Sequence, residues 1–249
     1  MRRDGIIRLA VSDLDGTLLP CGERRIESNI LCSIERLLDG GVSVAIASGR
    51  SCDELEKLLS PLSDRLSFIC FDGALTVKGG KTVLSRPIGV SSLSVFFKYA
   101  KATLADALFF GKDACYSLGG EAQRIYEAQG GVVRTVSSFY EIKEPIYKVS
   151  LIGDVPISER ETGTRLLAGS SEWREFVTDG ANKGAALSYL QLKLCVSAFD
   201  TAVLGNGEND IPMLKHASVC ARLPDAREAY AARATKEFSS AAEFFDSLV

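Results

Sequence analysis

The chain has 249 residues, 46% of them hydrophobic, and a formal net charge of -3. That length suits one large α/β domain or a core domain carrying a smaller insert. The near-neutral balance, without a long run of one sign, argues against a general polyanion binder and leaves room for a local basic pocket.

No apolar run approaches the roughly 20 residues needed to span a membrane, and residues 1–13 lack the apolar stretch of a secretory leader. A cytoplasmic location is expected, with neither nucleic acid nor a membrane as partner. The seven cysteines are scattered, form no C-x-x-C pair and read as small buried thiols rather than a disulfide framework. The single histidine, His216, has no cysteine beside it, which argues against a zinc site.

The first third alternates strands and helices. Residues 6–12 (IIRLAVS) form a short apolar run that stops at acids and glycine, as a buried strand does. Residues 27–38 place Ile30, Leu31, Ile34, Leu37 and Leu38 at helical spacing, and Gly40-Gly41 stops the helix. Residues 42–47 (VSVAIA) read as a second buried strand, 52–59 as a short helix and 67–71 as a third strand. Strand-helix-strand with short connections predicts a Rossmann-like, doubly wound parallel sheet with helices on both faces.

From residue 75 the character changes. Short strands flank Gly79-Gly80, a hairpin signal, and a helix carries Leu93, Phe96, Phe97 and Ala100 on one face. Strands at 108–110, 115–118, 132–136 and 147–152 surround a helix at 121–129, giving the pattern of an α+β insert. The parallel pattern is expected to return after Trp173, with a helix at 182–192, a strand at 201–204 and further short elements to 248. The predicted division is a core of 1–74 and 170–249 around an inserted cap of 75–169.

Four segments carry chemistry. Asp13-Leu14-Asp15-Gly16-Thr17-Leu18 follows the first strand and aims two carboxylates at the crevice where open α/β sheets bind ligands. Two acids so close repel unless a cation or proton lies between them. Ser48-Gly49-Arg50 ends the second strand and offers a hydroxyl, an amide and a guanidinium to a phosphate oxygen. Lys183 opens a helix, where the helix dipole disfavours a cation, and a buried anion nearby would explain it. Gly205-Asn206-Gly207-Glu208-Asn209-Asp210 follows the apolar run Ala202-Val203-Leu204 and brings polar side chains to a third strand end.

These four segments, in this order, resemble the haloacid dehalogenase superfamily, and the chain looks like its Cof-type, subfamily IIB, sugar-phosphatase group. The resemblance covers nearly the whole chain. It implies a magnesium-dependent phosphatase of small phosphorylated metabolites, monomeric or homodimeric, acting through an aspartyl phosphate. Asp13 would be the nucleophile, Asp15 the acid and base, and Lys183 the balancing cation. Ser48, Gly49, Arg50, Lys183 and Asn209 would bind the phosphate. The metal ligands would come from Asp13, Asp15, Asn206 and Asp210.

Two positions depart from the family pattern. The fourth motif usually has aspartate where this chain has Asn206, and an amide oxygen brings no charge to a cation. Three readings stand side by side: a natural variant with weaker metal binding, a substitution that traps a complex, or a protein that has lost catalysis. Asn206-Gly207 is also a deamidation-prone dipeptide. At the other position, Asp72 replaces the family's usual asparagine, holds the same kind of turn and adds charge near the crevice.

A binding or regulatory protein that turns over poorly is the alternative reading, and a phosphomutase is chemically adjacent. A response-regulator-like signalling domain fits less well, given the length and the mid-chain insert. In the cap, Lys112, Arg124, Tyr147 and Lys148 are candidate specificity residues, each also readable as an ordinary surface residue.

Overall fold

The computed structural model describes residues 6–103, 105–153, 157–170 and 173–249. It divides into two compact units, one made of Met1–Ser85 and Asn182–Val249, the other of Arg86–Ala181.

The first unit begins with β1 (Leu9–Asp13), α1 (Ser28–Asp39), β2 (Ser43–Ala47), α2 (Cys52–Leu58), β3 (Ser67–Cys70), β4 (Leu75–Lys78) and β5 (Lys81–Ser85). Helix α1 forms because Ile30, Ser33, Ile34 and Leu37 recur on one buried face. Helix α2 is opened by a capping box in which the Ser51 side chain accepts from Glu54 N–H and the Glu54 carboxylate takes Ser51 N–H.

The second unit holds α3 (Val90–Thr103), β6 (Asp106–Phe110), β7 (Cys115–Ser117), α4 (Glu121–Ala128), β8 (Val133–Thr135), β9 (Lys148–Ile152), α5 (Glu159–Thr162), β10 (Thr164–Ser170) and β11 (Trp173–Thr178). The chain then returns through α6 (Lys183–Leu194), β12 (Thr201–Gly205), α7 (Ile211–Leu214), β13 (Val219–Arg222), α8 (Glu228–Ala231), β14 (Lys236–Glu237) and α9 (Ala241–Asp246). Among the described residues, no helix is long and apolar enough to cross a membrane.

The first unit is built on one eight-stranded sheet, ordered β14-β13-β12-β1-β2-β3-β4-β5. Strands β14 to β3 run parallel, as the buried apolar runs predict. Strand β1 is central, paired with β2 on one side and β12 on the other. The strand order reverses around it, so the crevice of an open α/β sheet lies at its carboxyl end. On one face Leu9, Val11, Ala45, Ile69 and Val203 pack with Ala186, Leu187 and Leu190 of α6 and Met213 of α7. Each fully buried leucine there contributes about 1.5–3 kcal/mol.

The second unit is α+β. Its six-stranded sheet, ordered β10-β11-β9-β6-β7-β8, is antiparallel except for the β7–β8 pair. The apolar face of α3 covers it: Phe97 stacks on Phe109 with ring centroids 4.3 Å apart, and Phe96 meets Phe176 at 5.1 Å.

Two stretches lie in a different sheet from the one expected. Strands β4 and β5 extend the first unit's sheet, because Ser67 to Cys70 pair antiparallel with Lys78 to Leu75. Strand β11 belongs to the second unit's sheet through pairing with β9 and β10. In both cases the pairing partner, which local pattern does not encode, decides the sheet. Strand β10 had no counterpart in the sequence reading.

Candidate active site

Asp13 is the last residue of β1 and is 5% exposed. The chain after it turns on the Leu14 carbonyl, which accepts from the N–H groups of Thr17, Leu18 and Leu19. Leu14 and Leu18 are fully buried and anchor this turn. Gly16 sits at φ +76°, and a Cβ there would lie 2.3 Å from Asn206 Nδ2, so no other residue fits without displacing Asn206.

The Asp13 carboxylate is held at both oxygens. Lys183 Nζ donates to Oδ1 at 2.6 Å, and Thr17 Oγ1 donates to Oδ2 at 3.0 Å. Lys183 also donates to Asp210 Oδ1 at 2.7 Å. The lysine is 1% exposed although it is the first residue of α6, whose N-cap, Asn182, accepts from Ala185 N–H at 2.8 Å. Close packing forces this placement. A Cβ on Gly73, at φ +97°, would lie 2.3 Å from the Asn182 carbonyl oxygen, so the turn after β3 is pressed onto the start of α6.

One buried cation therefore serves two buried carboxylates. Burial works against the charge on Lys183, but the attraction of Asp13, Asp210 and Asp72 outweighs it and raises its pKa. Burial raises Asp13 to about 7; Lys183 opposes that rise and the Asp210 charge adds to it.

Asp210 is fully buried and its second oxygen is also taken: Oδ2 accepts the backbone N–H groups of Asn206 and Gly207, each at 3.0 Å. It braces the loop after β12. The side-chain nitrogen of Asn206 donates to the Asp15 main-chain carbonyl at 3.0 Å. Asn209 donates to Asp72 Oδ1 at 2.9 Å.

The Asp15 carboxylate points another way. Arg50 grips it with Nε at 3.1 Å from both oxygens and Nη2 at 2.6 Å from Oδ1, and Ser48 Oγ donates to Oδ2 at 3.3 Å. The hydrogen bonds to Asp15 raise the Arg50 pKa. Gly49 runs close to Asp72, since a Cβ there would lie 2.8 Å from Asp72 Oδ2.

All nine residues singled out in the sequence, Asp13, Asp15, Ser48, Gly49, Arg50, Lys183, Asn206, Asn209 and Asp210, thus belong to one network at the carboxyl ends of β1, β2 and β12. Asp72 joins them in a more central place than its sequence context suggested. It is 6% exposed, and both it and Phe71 adopt left-handed backbone conformations, with φ +51° and +50°. Such strain persists only where surroundings enforce it. Here Asp72 N–H donates to the Ser48 carbonyl and Phe71 N–H to the Arg50 carbonyl. The substitution of asparagine by aspartate in the family's Asn-Gly-Ala was the available signal.

The four cap candidates lie in the second unit. Tyr147 and Lys148 are buried, Lys112 is half-buried and Arg124 is exposed. Lys148 Nζ donates to Glu175 Oε1 at 2.9 Å, which also accepts from Ser150 Oγ at 3.1 Å. Glu175 was not anticipated.

Among the described residues, no group of three or more His, Cys, Asp or Glu side chains gathers as a metal centre. The remaining donors are all hard oxygens, namely an Asp13 carboxylate oxygen, the Asp15 carbonyl and the Asn206 amide oxygen, and hard oxygens are what magnesium takes. They fit, provided the Asn206 amide turns its oxygen toward the Asp15 carbonyl.

Known proteins resemble this chain over most of its length. The chain is similar to the 5-amino-6-(5-phospho-D-ribitylamino)uracil phosphatase YbjI of Escherichia coli, with 20% identity covering 92% of this chain and 89% of that protein. It is 27% identical to the HMP-PP phosphatase of Escherichia fergusonii, covering 83% and 80% of the two chains. A haloacid dehalogenase-like hydrolase from Bacteroides thetaiotaomicron shares the fold, with a TM-score of 0.86 at 20% identity over 98% of this chain and all of that one. The family profile described as haloacid dehalogenase-like hydrolase matches residues 10–247, from within β1 past the end of α9. The chain, an enzyme, belongs to the haloacid dehalogenase-like hydrolase family.

Proposed function

We propose that this chain hydrolyses a small phosphate monoester, a sugar phosphate or related metabolite, in a magnesium-dependent reaction through an aspartyl phosphate on Asp13. The observation that carries the reading is the buried Asp13 carboxylate at the end of the central strand, held 2.6 Å from the buried Lys183 ammonium. A carboxylate paired this way stays placed for attack on phosphorus, and the lysine offsets charge as the anionic substrate arrives.

Asp13 attacks phosphorus, and the bond from phosphorus to the ester oxygen breaks. Once Arg50 and Ser48 turn to the phosphoryl group, Asp15 takes a proton from the entering monoester or from solvent. It gives this proton to the departing alkoxide, and then takes one from the water that hydrolyses the aspartyl phosphate. Ser48, Gly49 N–H, Arg50 and Asn209 are the phosphoryl-binding groups. Two of these, Ser48 and Arg50, bond to the Asp15 carboxylate in the free chain. A phosphoryl group competing for them releases Asp15 as it binds, which couples substrate entry to freeing the proton donor.

Asp13, the Asp15 carbonyl and Asn206 are the residues that would hold magnesium, with Asp210 orienting the loop rather than coordinating. The metal, when bound, screens the repulsion between carboxylate and phosphate. Similarity to phosphatases of small phosphorylated compounds supports the substrate class. The inserted unit, Arg86–Ala181, would serve as the cap that selects the substrate.

A second reading, a phosphate-ester-binding protein with poor turnover, is favoured by one observation: the Asn206 amide bonds to the Asp15 carbonyl. A phosphate-release assay on a metabolite panel with magnesium separates the two, run beside Asp13→Asn and Asn206→Asp. Turnover abolished by Asp13→Asn supports the enzyme. No release above background, together with saturable binding of a phosphorylated ligand, selects the second reading.

A further inference from the structure

Every carboxylate in the crevice already has partners. Asp15 is bound to Arg50 and Ser48, and Asp210 to Lys183 and two backbone N–H groups. Asp13 is shared with Lys183 and Thr17, and Asp72 accepts from Asn209. A divalent cation would find a single shared anionic side chain, a neutral carbonyl and a neutral amide. Magnesium gives up its water reluctantly and is ordinarily held by one or two carboxylates together with substrate phosphate oxygens. This donor set is at the poor end of that range.

The neutral amide also has a competing occupation. Asn206 Nδ2 lies 3.0 Å from the Asp15 carbonyl oxygen, joining two of the three donors to each other. The nitrogen must face that carbonyl, since two oxygens there would repel. Turning the amide over to present its oxygen forfeits this hydrogen bond, a penalty of roughly 2- to 10-fold in affinity. Rotation about the terminal torsion is otherwise soft.

We infer that Asn206 is a latch that makes metal uptake in this chain depend on phosphate: the Asn206–Asp15 hydrogen bond closes the cation site until a phosphoryl oxygen supplies the missing negative charge. The inference rests on the metal-dependent phosphatase reading and adds an order of events to it. A phosphate dianion beside Asp13 more than doubles the negative charge facing the cation, and the gain then exceeds the latch. Coupling of this kind is reciprocal, so metal strengthens phosphate binding by the same factor.

The test is Mn2+ binding to the full chain, followed by electron paramagnetic resonance, with and without inorganic phosphate. Phosphate binding is measured with and without Mn2+. In the wild-type chain, saturating phosphate is expected to tighten Mn2+ binding on the order of tenfold or more, with the reciprocal effect on phosphate. Asn206→Asp is expected to bind Mn2+ alone more tightly than wild type and to lose most of the coupling.

Wild-type affinity for Mn2+ that phosphate leaves unchanged overturns the latch while the phosphatase reading stands. Asn206→Asp binding Mn2+ no more tightly than wild type also overturns it. Should that variant fail to fold, the reciprocal wild-type measurement decides alone. No Mn2+ uptake by either chain, even with phosphate, overturns the metal-dependent reading and the latch with it.

Discussion

Lys183 Nζ lies 2.6 Å from Asp13 Oδ1 although the two residues are 170 positions apart, and both are buried. This contact ties the first parallel strand to the helix that follows the second unit, and it links stability to the proposed chemistry. Removing the cation leaves Asp13 and Asp210 buried without compensation. Lys183→Ala is expected to destabilise the chain by about 3–5 kcal/mol in urea denaturation and to abolish turnover. A fully stable Lys183→Ala chain would mean that the buried charges are not coupled as described.

Asp13→Asn should act in the opposite direction on stability. A carboxyl raised to about 7 from 3.8 keeps its proton longer in the folded chain. The stability this proton supplies is complete below about pH 3.8 and is lost as pH rises through about 7. The amide does not titrate. Its advantage over wild type is therefore expected to grow between about pH 4 and 7, by at most about 1.4 kcal/mol per pH unit, and then level off. Urea titrations with chelator present across that range check it. A difference independent of pH would show that burial does not strain the Asp13 charge.

Arg50 and Asp15 form a partly exposed pair, with side chains 33% and 50% accessible. Arg50→Lys keeps the charge and loses the two-pronged grip. It is expected to cost less than about 1 kcal/mol of stability, because solvent screens the pair. The same change is expected to raise KM several-fold, as the phosphoryl group loses its planar partner. Steady-state kinetics and denaturation of the same preparation separate the two effects, and an unchanged KM would remove Arg50 from phosphate binding.

Asn206-Gly207 deamidates through attack of the Gly207 nitrogen on the Asn206 side chain, and in the folded chain that N–H is held by Asp210 Oδ2 at 3.0 Å. The sequence marks the dipeptide as labile, whereas the structure ties down its nucleophile. Intact-mass measurements on ageing samples should show the amide persisting in folded chain and converting faster in urea. Equal rates would mean that the Asp210 bond offers no protection.

The parallel half of the fold was legible because its strands are short apolar runs that end in acids, glycine or serine, and chain-local pattern suffices for that. Asp13 and Asp15 stood out for the same reason. The hairpin 75–85 was readable as a hairpin, but its pairing with β3 was not. Strand β10 (TRLLAGS) lacks strict alternation and is defined by its partner β11. Lys183 stood out as a cation at a helix start, but its burial between two carboxylates depends on elements that meet in space. The Arg50–Asp15 grip and the left-handed backbone at Asp72 depend on loops meeting in space, for which the sequence carries no local mark.

The central claim is that Asp13 is the residue phosphorylated during turnover. It is tested most directly by quenching the enzyme with borohydride during turnover of p-nitrophenyl phosphate and mapping the peptides by mass spectrometry. An aspartyl phosphate is reduced to homoserine, so the expected result is homoserine at position 13 in the wild-type chain and none in Asp13→Asn. Reduction at a different residue, or sustained turnover by Asp13→Asn, would contradict it.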